Sequence, residues 1–362
     1  MSITSATALI DRSALIENFR EIKRIAPAAK VLAVLKANAY GHGLARIAMA
    51  LPEADAFGVA RIDEAIELRA SGVVKPIVLL EGFFAKEDLP IMAVNNFQTI
   101  VHNQSQLDAL TCPNLQLPQP LKVWLKVDTG MHRLGVNPEE FEHYYQALSA
   151  CDNVEGDLVL MSHLACADVE NDASVCQQIA LFEQLTGHHQ QMRSIANSAA
   201  TFAWPQAHYD WLRPGLMLYG VSPMDISQQN QPTTISPVMT LQASVIAVRH
   251  IDSGETVGYG GTWTSTKPTT IGVISIGYGD GYPRHAPNGT PVLVNGRKVP
   301  LVGRVSMDMI TVDLGENAID KIGDVAVLWG KGLPVEEVAQ HATTIPYELL
   351  CNITRRVQID VI

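Results

Sequence analysis

Residues capable of acid–base or covalent chemistry follow several short apolar runs in the first part of the sequence. Lys36 comes directly after one such run, and Lys126 lies near the end of another. His163 and Arg213 follow two later runs in the same way. A lysine at the end of a buried strand is costly while charged, unless its charge is paired or removed. Its chemical use would be a Schiff base with a carbonyl compound, and the alternative is a side chain that reaches solvent.

Two later segments contain groups that could bind a phosphate. Asn197-Ser198-Ala-Ala combines a hydroxyl with a possible helix start, and Pro214-Gly215-Leu216 is a glycine-containing turn. Phosphate sites use backbone N–H groups, hydroxyls and turns of this kind. Ordinary loops contain the same residues, so each segment by itself leaves both interpretations open. Arg213, which precedes the second segment, could equally pair with a carboxylate or face a ligand.

A barrel fold would bring these residues together. Helix-like stretches, such as 13–26 and 138–149, separate most of the apolar runs. This alternation predicts an α/β fold, a (β/α)8 TIM barrel, in which active-site residues gather at the C-terminal ends of the strands. The eight runs are 31–35, 56–60, 76–80, 99–102, 123–127, 158–162, 193–196 and 209–212.

The pattern changes after about residue 225. Residues 227–237 are polar and contain proline, which predicts a linker. Runs rich in valine, isoleucine and threonine follow, and Asn295-Gly296 between two of them predicts a type I′ hairpin. The sequence thus predicts two domains, a barrel at residues 1–226 and a C-terminal, mostly antiparallel β domain at 227–362.

The composition argues against nucleic-acid and membrane partners. The chain has 362 residues, of which 47% are apolar, and a net charge of −11. An acidic surface repels nucleic-acid phosphates. The sequence has no run of some 20 apolar residues, which is the length needed to span a membrane. The N-terminus lacks a signal-peptide pattern, and the five cysteines include no Cys-x-x-Cys motif. We therefore expect a cytoplasmic protein with free thiols and no metal site.

Glycine-rich segments in the second half do not predict a nucleotide site. Neither 257–262 nor 277–284 has the spacing of a dinucleotide-binding loop between a strand and a helix. Glycines around Tyr259 would let a loop tip approach a partner closely, although spacing alone favours a surface turn. His188-His189 lies at a polar helix end, and we interpret both side chains as solvated.

Taken together, these residues resemble the alanine racemases, a family of pyridoxal-phosphate enzymes of fold type III, over essentially the whole chain. The most specific string is Ala33-Val-Leu-Lys36-Ala-Asn-Ala-Tyr40-Gly-His-Gly, which is similar to the cofactor-lysine motif of that family. Further matching strings are Lys126-Val-Asp-Thr-Gly-Met-His-Arg133-Leu-Gly, Arg213-Pro-Gly, Leu218-Tyr-Gly, Val257-Gly-Tyr259-Gly, Gly279-Asp-Gly-Tyr-Pro-Arg284 and Gly303-Arg304-Val-Ser-Met307-Asp308-Met.

The resemblance implies a role for each residue that would touch the cofactor. Lys36 binds pyridoxal 5′-phosphate covalently and is one of two catalytic bases. Tyr259, from the second domain of the other subunit of a homodimer, is the opposite base, with His163 beside it. Arg213 faces the pyridine nitrogen. The phosphate is bound by Tyr40, Ser198, the backbone of Gly215 and Leu216, and Tyr347.

The resemblance also implies how alanine, the substrate, is bound. Its carboxylate is received by Arg133 and by the backbone of Met307, and Lys126, which corresponds to a carbamylated lysine of the family, positions Arg133. The substrate-access path would be lined by Asp168, Tyr278, Arg284, Arg304 and Ile345.

A two-base mechanism agrees with the chemistry of racemisation. The reaction removes the Cα proton from one face and returns a proton to the other, so it needs a base on each face. A tyrosine base needs its pKa, normally about 10, to be lowered. Positive charge on Arg213 and His163 would have this effect on Tyr259.

Other interpretations remain within the same fold. A broad-specificity amino-acid racemase would have the same two domains, and such racemases are usually exported. A non-enzymatic pyridoxal-phosphate-binding protein would have the barrel without a counterpart of Tyr259. A decarboxylase would be expected to have an acidic residue in place of Arg213. The racemase could supply D-alanine for peptidoglycan or degrade it.

Overall fold

The computed structural model describes residues 5–224 and 234–362. Strand β1 (Thr7–Ile10) precedes eight strands that alternate with helices. The eight strands are β2 (Lys30–Val34), β3 (Ala56–Val59), β4 (Ile77–Leu79), β5 (Phe97–Val101), β6 (Val123–Lys126), β7 (Val159–Met161), β8 (Met192–Ser194) and β9 (Trp211–Leu212). The helices among them are α1 (Arg12–Ile25), α2 (Lys36–Tyr40), α3 (Leu44–Ala50), α4 (Ile62–Ala70), α5 (Asp88–Val94), α6 (Gln104–Leu110), α7 (Phe141–Ser149), α8 (Ala173–Thr186) and α9 (Ser198–Ala203).

Strands β2 to β9 form one parallel sheet that curls into a barrel. Each of β2 to β7 pairs with the next strand along the chain, and β9 pairs with β2. The N–H of Asp210 donates to the carbonyl of Arg193 (3.1 Å) and that of Arg213 to the carbonyl of Ala196 (2.9 Å), which connects the β8 and β9 segments. Every predicted run overlaps a strand, because strands buried on both faces are continuous apolar runs. The predicted (β/α)8 barrel is confirmed.

A second, mostly antiparallel sheet follows the barrel, as predicted. Its long strand β10 pairs with β1 and β17 in its first half and with β13 in its second half. The predicted hairpin turn joins β14 to β15, and Asn295 and Gly296 have φ of 48° and 78°. The strands are β10 (Met239–Ile251), β11 (Thr256–Val257), β12 (Trp263–Thr264), β13 (Thr269–Ile274), β14 (Pro291–Val294), β15 (Arg297–Pro300), β16 (Ile310–Asp313), β17 (Val325–Trp329) and β18 (Gln358–Val361), and the helices are α10 (Val335–His341) and α11 (Pro346–Cys351).

Strand β1 departs from the predicted division at residues 1–226 and 227–362. It lies between β10, with which it is antiparallel, and β18, with which it is parallel. The chain therefore starts in the second sheet before it enters the barrel at α1. The predicted boundary at 226 and most of the predicted linker at 227–237 lie outside the described residues.

The structure also bears on membrane-spanning helices and on disulfides. No helix in the described parts of the chain is long and apolar enough to cross a membrane. All five cysteines are free thiols.

Candidate active site

Lys36 lies just beyond the C-terminal end of β2, at the start of a left-handed backbone turn. The four residues that follow it, Ala37 to Tyr40, all have φ between 52° and 54°. Non-glycine residues rarely occupy this left-handed region, and each such residue costs roughly 1–2 kcal/mol. Strain of this kind persists only where the surroundings hold the backbone in place. Here the turn brings Lys36 and Tyr40 to one cavity.

His42 and Tyr219 hold this turn. Nδ1 of His42 donates to the carbonyl oxygens of Tyr40 (2.8 Å) and Ala39 (3.0 Å). The His42 ring stacks on Tyr219 with a centroid distance of 4.5 Å. The Tyr219 hydroxyl donates to the carbonyl of Val34 in β2 (3.0 Å). Burial lowers the pKa of His42 to about 4, so its ring is neutral at physiological pH.

Tyr40, Ser198 and Gly215 form a compact polar cluster beside the turn. The N–H groups of Gly215 and Met217 donate to Oγ of Ser198, at 2.8 and 3.3 Å. A Cβ on Gly215 would lie 2.4 Å from the hydroxyl oxygen of Tyr40, so this close approach requires glycine. Hydroxyls and backbone N–H groups converging in this way can bind a phosphate.

Arg213 is buried between the ends of β7 and β8. Its guanidinium donates to the carbonyl of Ser162 (2.6 Å), to Oγ of Ser194 and to Nδ1 of His163 (3.3 Å). Burial lowers its pKa to about 9, so it stays cationic at pH 7. Because a guanidinium only donates, Nδ1 of His163 accepts, and the neutral imidazole carries its proton on Nε2.

His163 is neutral in this environment. Burial, and then the positive charge of Arg213, lower the pKa of His163 well below its ordinary value. The expectation that His163 would add positive charge beside Tyr259 is therefore wrong. Arg213 alone remains of the two predicted cations.

Lys126 is a buried lysine at the end of β6. Burial, followed by the charges of Arg213 and Arg133, lowers its pKa to about 8. Within the described residues no carboxylate forms a salt bridge with it. Lys126 therefore has a larger neutral fraction near pH 7 than an exposed lysine, although the Asp128 carboxylate offsets part of the lowering of its pKa.

One cavity of about 520 Å³ at the C-terminal ends of the barrel strands collects most of the predicted residues. Ile345 and Tyr347, at the start of α11, line this cavity, so the second domain contributes to the cavity wall. The Tyr347 ring lies 5.8 Å from the Tyr40 ring. The predicted site residues in the cavity are Lys36, Tyr40, Lys126, Arg133, His163, Ser198, Arg213, Gly215, Leu216 and Tyr347.

Tyr259 and Met307 lie elsewhere in the same chain. Their exposed fractions are 73% and 52%, and neither lines the cavity. The loop at 257–261 packs against Arg304, since a Cβ on Gly260 would lie 3.4 Å from its guanidinium. The N–H of Gly279 donates to the carbonyl of Met307 (2.8 Å). These loops thus form one exposed face of the second domain, which we call the Tyr259 face.

Known proteins match this chain over nearly all of its length. The family models for the N-terminal and C-terminal domains of alanine racemase match residues 10–223 and 238–361. The alanine racemase of Vibrio atlanticus is 56% identical over 356 residues, which are 98% of this chain and 99% of that protein. The chain belongs to the alanine racemase family. It is therefore a racemase that interconverts L-alanine and D-alanine, as the resemblance implies.

Solved alanine racemases have the same architecture. The biosynthetic alanine racemase of Pseudomonas aeruginosa has a TM-score of 0.94 and is 42% identical, covering 99% of this chain and 100% of its own. The alanine racemase of Bartonella henselae, solved with covalently bound pyridoxal phosphate, has a TM-score of 0.90 and is 33% identical, with coverage of 99% and 100%. Alanine racemases depend on this cofactor.

The residues of this racemase fit pyridoxal phosphate. Lys36 provides an amine at one side of the cavity, and the cluster of Tyr40, Ser198 and Gly215 provides phosphate ligands. Arg213 provides a cation that donates hydrogen bonds. The amine can react with the aldehyde of pyridoxal phosphate, and the polar cluster can bind its phosphate. The guanidinium can donate a hydrogen bond to its ring nitrogen.

Sequence reasoning missed some residues of the cavity. Glu81 follows β4 and lines the wall, in the same position after a strand as Lys36 and His163. Applying the strand-end rule to all eight runs would have found it. His42 and Tyr219 support the site from behind without lining the cavity, and no spacing pattern identifies them.

Proposed function

We propose that this racemase binds pyridoxal 5′-phosphate through Lys36 and works as a homodimer in which Tyr259 of a second copy completes each site. One observation carries the proposal. The barrel cavity contains one candidate base and an anion cradle, whereas the candidate second base is 73% exposed on another face of the chain. A second copy could bring the two together.

The cofactor would be held from both ends. Its phosphate would accept hydrogen bonds from the hydroxyls of Tyr40, Ser198 and Tyr347 and from the backbone around Gly215 and Leu216. A compact cradle of this kind orients the attached group without large movement. When bound, the cofactor conjugates with the amino acid and makes its Cα–H acidic.

Lys36 and Tyr259 would act as the two bases that exchange protons with Cα of the substrate. One of them would take the proton from Cα on one face while the other, in its protonated form (the Lys36 ammonium or the Tyr259 phenol), would deliver a proton to the opposite face. The reverse direction exchanges their roles, so either enantiomer is a substrate. Neutral His163 accepts from Arg213, and its Nε2–H can donate toward a phenolate oxygen.

Arg213 would face the pyridine nitrogen. A guanidinium retains its protons at neutral pH, so it donates a hydrogen bond and leaves the nitrogen unprotonated. The contacts to Ser162 and Ser194 hold the guanidinium in one orientation. This arrangement would favour return of the proton to Cα and so would suppress transamination as a side reaction.

Arg133 and the backbone of Met307 would bind the substrate carboxylate, and Lys126 would orient Arg133. The lowered pKa of Lys126 supports its carbamylation, since only a neutral amine reacts with carbon dioxide. A carbamate would place a negative charge between Arg133 and Arg213 and would orient Arg133. Lys126 itself would then act as a positioning residue.

The test combines labelling with a chiral assay. Borohydride reduction of the purified holoenzyme should fix the cofactor on the peptide that contains Lys36, and Lys36→Ala should lose both label and D-alanine formation. Lys86→Ala, at an exposed lysine, is the control and should keep both. Label on another lysine would contradict the assignment. Equal turnover of L-alanine, L-serine and larger amino acids would favour the broad-specificity alternative.

A further inference from the structure

Glu142, His188 and His189 form a cluster on the outside of the barrel. Glu142 belongs to α7, and the two histidines follow α8. One ligand atom from each residue lies within 4.8 Å of the other two. None of the three lines the catalytic cavity. The sequence predicts no metal site, since it has no Cys-x-x-Cys motif, and Glu142 is distant in sequence from the two histidines.

His189 is not the solvated side chain that the sequence predicts. Its side chain is only 8% exposed and packs against Tyr145, with a centroid distance of 4.0 Å. Its Nε2 atom is buried and makes no hydrogen bond within the described structure. Buried polar nitrogens almost always have a partner. The prediction holds only for His188, which is exposed.

A carboxylate oxygen lies close to this nitrogen. Nε2 of His189 lies 3.3 Å from Oε2 of Glu142, which is ion-pair distance, but the contact lacks the alignment of a good hydrogen bond. Zinc–nitrogen and zinc–oxygen bonds of about 2.0–2.2 Å with tetrahedral angles put two ligand atoms about 3.3 Å apart. The separation therefore equals one edge of a zinc coordination tetrahedron.

We propose that Glu142, His188 and His189 bind a divalent zinc-like ion, with water as the fourth ligand. His188 is exposed and its ring lies beside that of His189, with a centroid distance of 4.1 Å, so rotation of this side chain can turn a ring nitrogen toward the ion. Two imidazoles and one carboxylate suit Zn²⁺ and Co²⁺, whereas Mg²⁺ and Ca²⁺ require oxygen ligands. The ion would join α7 to the segment after α8 and would stabilise the barrel without taking part in racemisation.

The experiment titrates the untagged holoenzyme with Zn²⁺ and Co²⁺. We expect one equivalent bound, an intense visible Co²⁺ band typical of tetrahedral sites, and a higher melting temperature with Zn²⁺. Mg²⁺ should have no effect. No binding at about 100 μM Zn²⁺ would overturn the proposal.

Variants locate the ion. His188→Gln and Glu142→Gln change exposed side chains, so both should fold, and each should weaken Zn²⁺ binding about tenfold or more. His189→Ala should abolish binding. The matched control is His143→Gln, which changes the exposed histidine next to Glu142 outside the cluster. Equal loss in His143→Gln, or unchanged binding in His188→Gln and Glu142→Gln, would show that the ion binds elsewhere.

Discussion

Positive charge dominates the residues around the cavity, in a chain whose net charge is −11. Lys36, Lys126, Arg133 and Arg213 all lie on its wall, and their charges act on His163. Repulsion among cations that share one cavity, two of them buried, is unfavourable unless anions are bound. The proposed ligands, a phosphate ester and a substrate carboxylate, have the charge that compensates it.

Lys126 allows this electrostatic argument to be tested through stability. Its folded pKa of about 8 lies below the unfolded value of 10.5, so burial of the charged form destabilises the fold below pH 8. Lys126→Met in buffer free of carbon dioxide should therefore raise the free energy of unfolding at pH 7 by on the order of 3 kcal/mol. The gain should shrink as the pH rises from 8 to 10.5.

Urea unfolding of both proteins at several pH values measures this difference. Lys86→Met, at an exposed lysine, should show no such pH-dependent gain. A difference for Lys126→Met that stays constant from pH 7 to 10.5 would mean that the buried charge does not cause it.

The left-handed turn of α2 is the most strained element of the site. Four consecutive non-glycine residues with positive φ contradict local backbone preference, so no rule based on propensity predicts them. Tertiary contacts through His42 and Tyr219 hold the turn. The sequence could predict that Lys36 follows a strand, but not the turn that points Lys36 and Tyr40 into one cavity.

Ala37→Gly should relieve part of this strain. Glycine adopts positive φ without a Cβ clash, and Ala37 is exposed, so little packing is lost. We expect the free energy of unfolding to rise by about 0.5–1 kcal/mol. Ala180→Gly, at an exposed position inside α8, is the matched control and should lower it by about 1 kcal/mol. Melting temperatures of the two holoenzymes measure the signs, and a fall for both variants would contradict the strain argument.

The turn at Gly215 should be equally sensitive to a single methyl group. In Gly215→Ala the new Cβ would displace the Tyr40 hydroxyl, which lies 2.4 Å from that position. Cofactor affinity, measured by fluorescence titration of the apoenzyme, should fall at least about tenfold, or about 1.4 kcal/mol. A Cβ on Gly156 would meet no atom within 4 Å, so Gly156→Ala should bind normally. Normal affinity in Gly215→Ala would argue against a phosphate site at this turn.

The barrel and the mostly antiparallel second domain were predictable from the sequence, whereas the pairing of β1 with that domain was not. Buried parallel strands are continuous apolar runs in the sequence, which is why all eight predicted runs overlap strands of the barrel. Strand β1 gives no sign of its partners, because pairing with β10 and β18 depends on residues hundreds of positions away. Spacing alone favoured a surface turn for Tyr259, and only the family resemblance assigned it a catalytic role.

The Tyr259 face has the features of an interface. Exposed aromatic and apolar side chains lie there together, and contiguous exposed apolar surface marks interaction sites. They include Tyr259, Tyr278, Met307 and Met309. Two-fold symmetry would pair each Tyr259 face with the cavity of the other copy and so create two identical composite sites.

Mixing two inactive variants tests whether the sites are shared. Lys36→Ala and Tyr259→Phe should each be nearly inactive as homodimers, because each lacks one base. In a mixed dimer the Tyr259→Phe chain supplies Lys36 and the Lys36→Ala chain supplies Tyr259, so one site is complete and the other has neither base. Free exchange makes half of the dimers mixed, with one good site of two, so about a quarter of wild-type activity should return.

The control for this recovery mixes Lys36→Ala with the double variant Lys36→Ala, Tyr259→Phe, in which no site can be complete. Subunit exchange is verified in both mixtures by pull-down of differently tagged chains. Recovery in the first mixture alone requires that the two bases of a working site come from different chains, since neither variant has both. Absence of recovery despite verified exchange would mean that Lys36 and Tyr259 act within one chain, or that Tyr259 is not the second base.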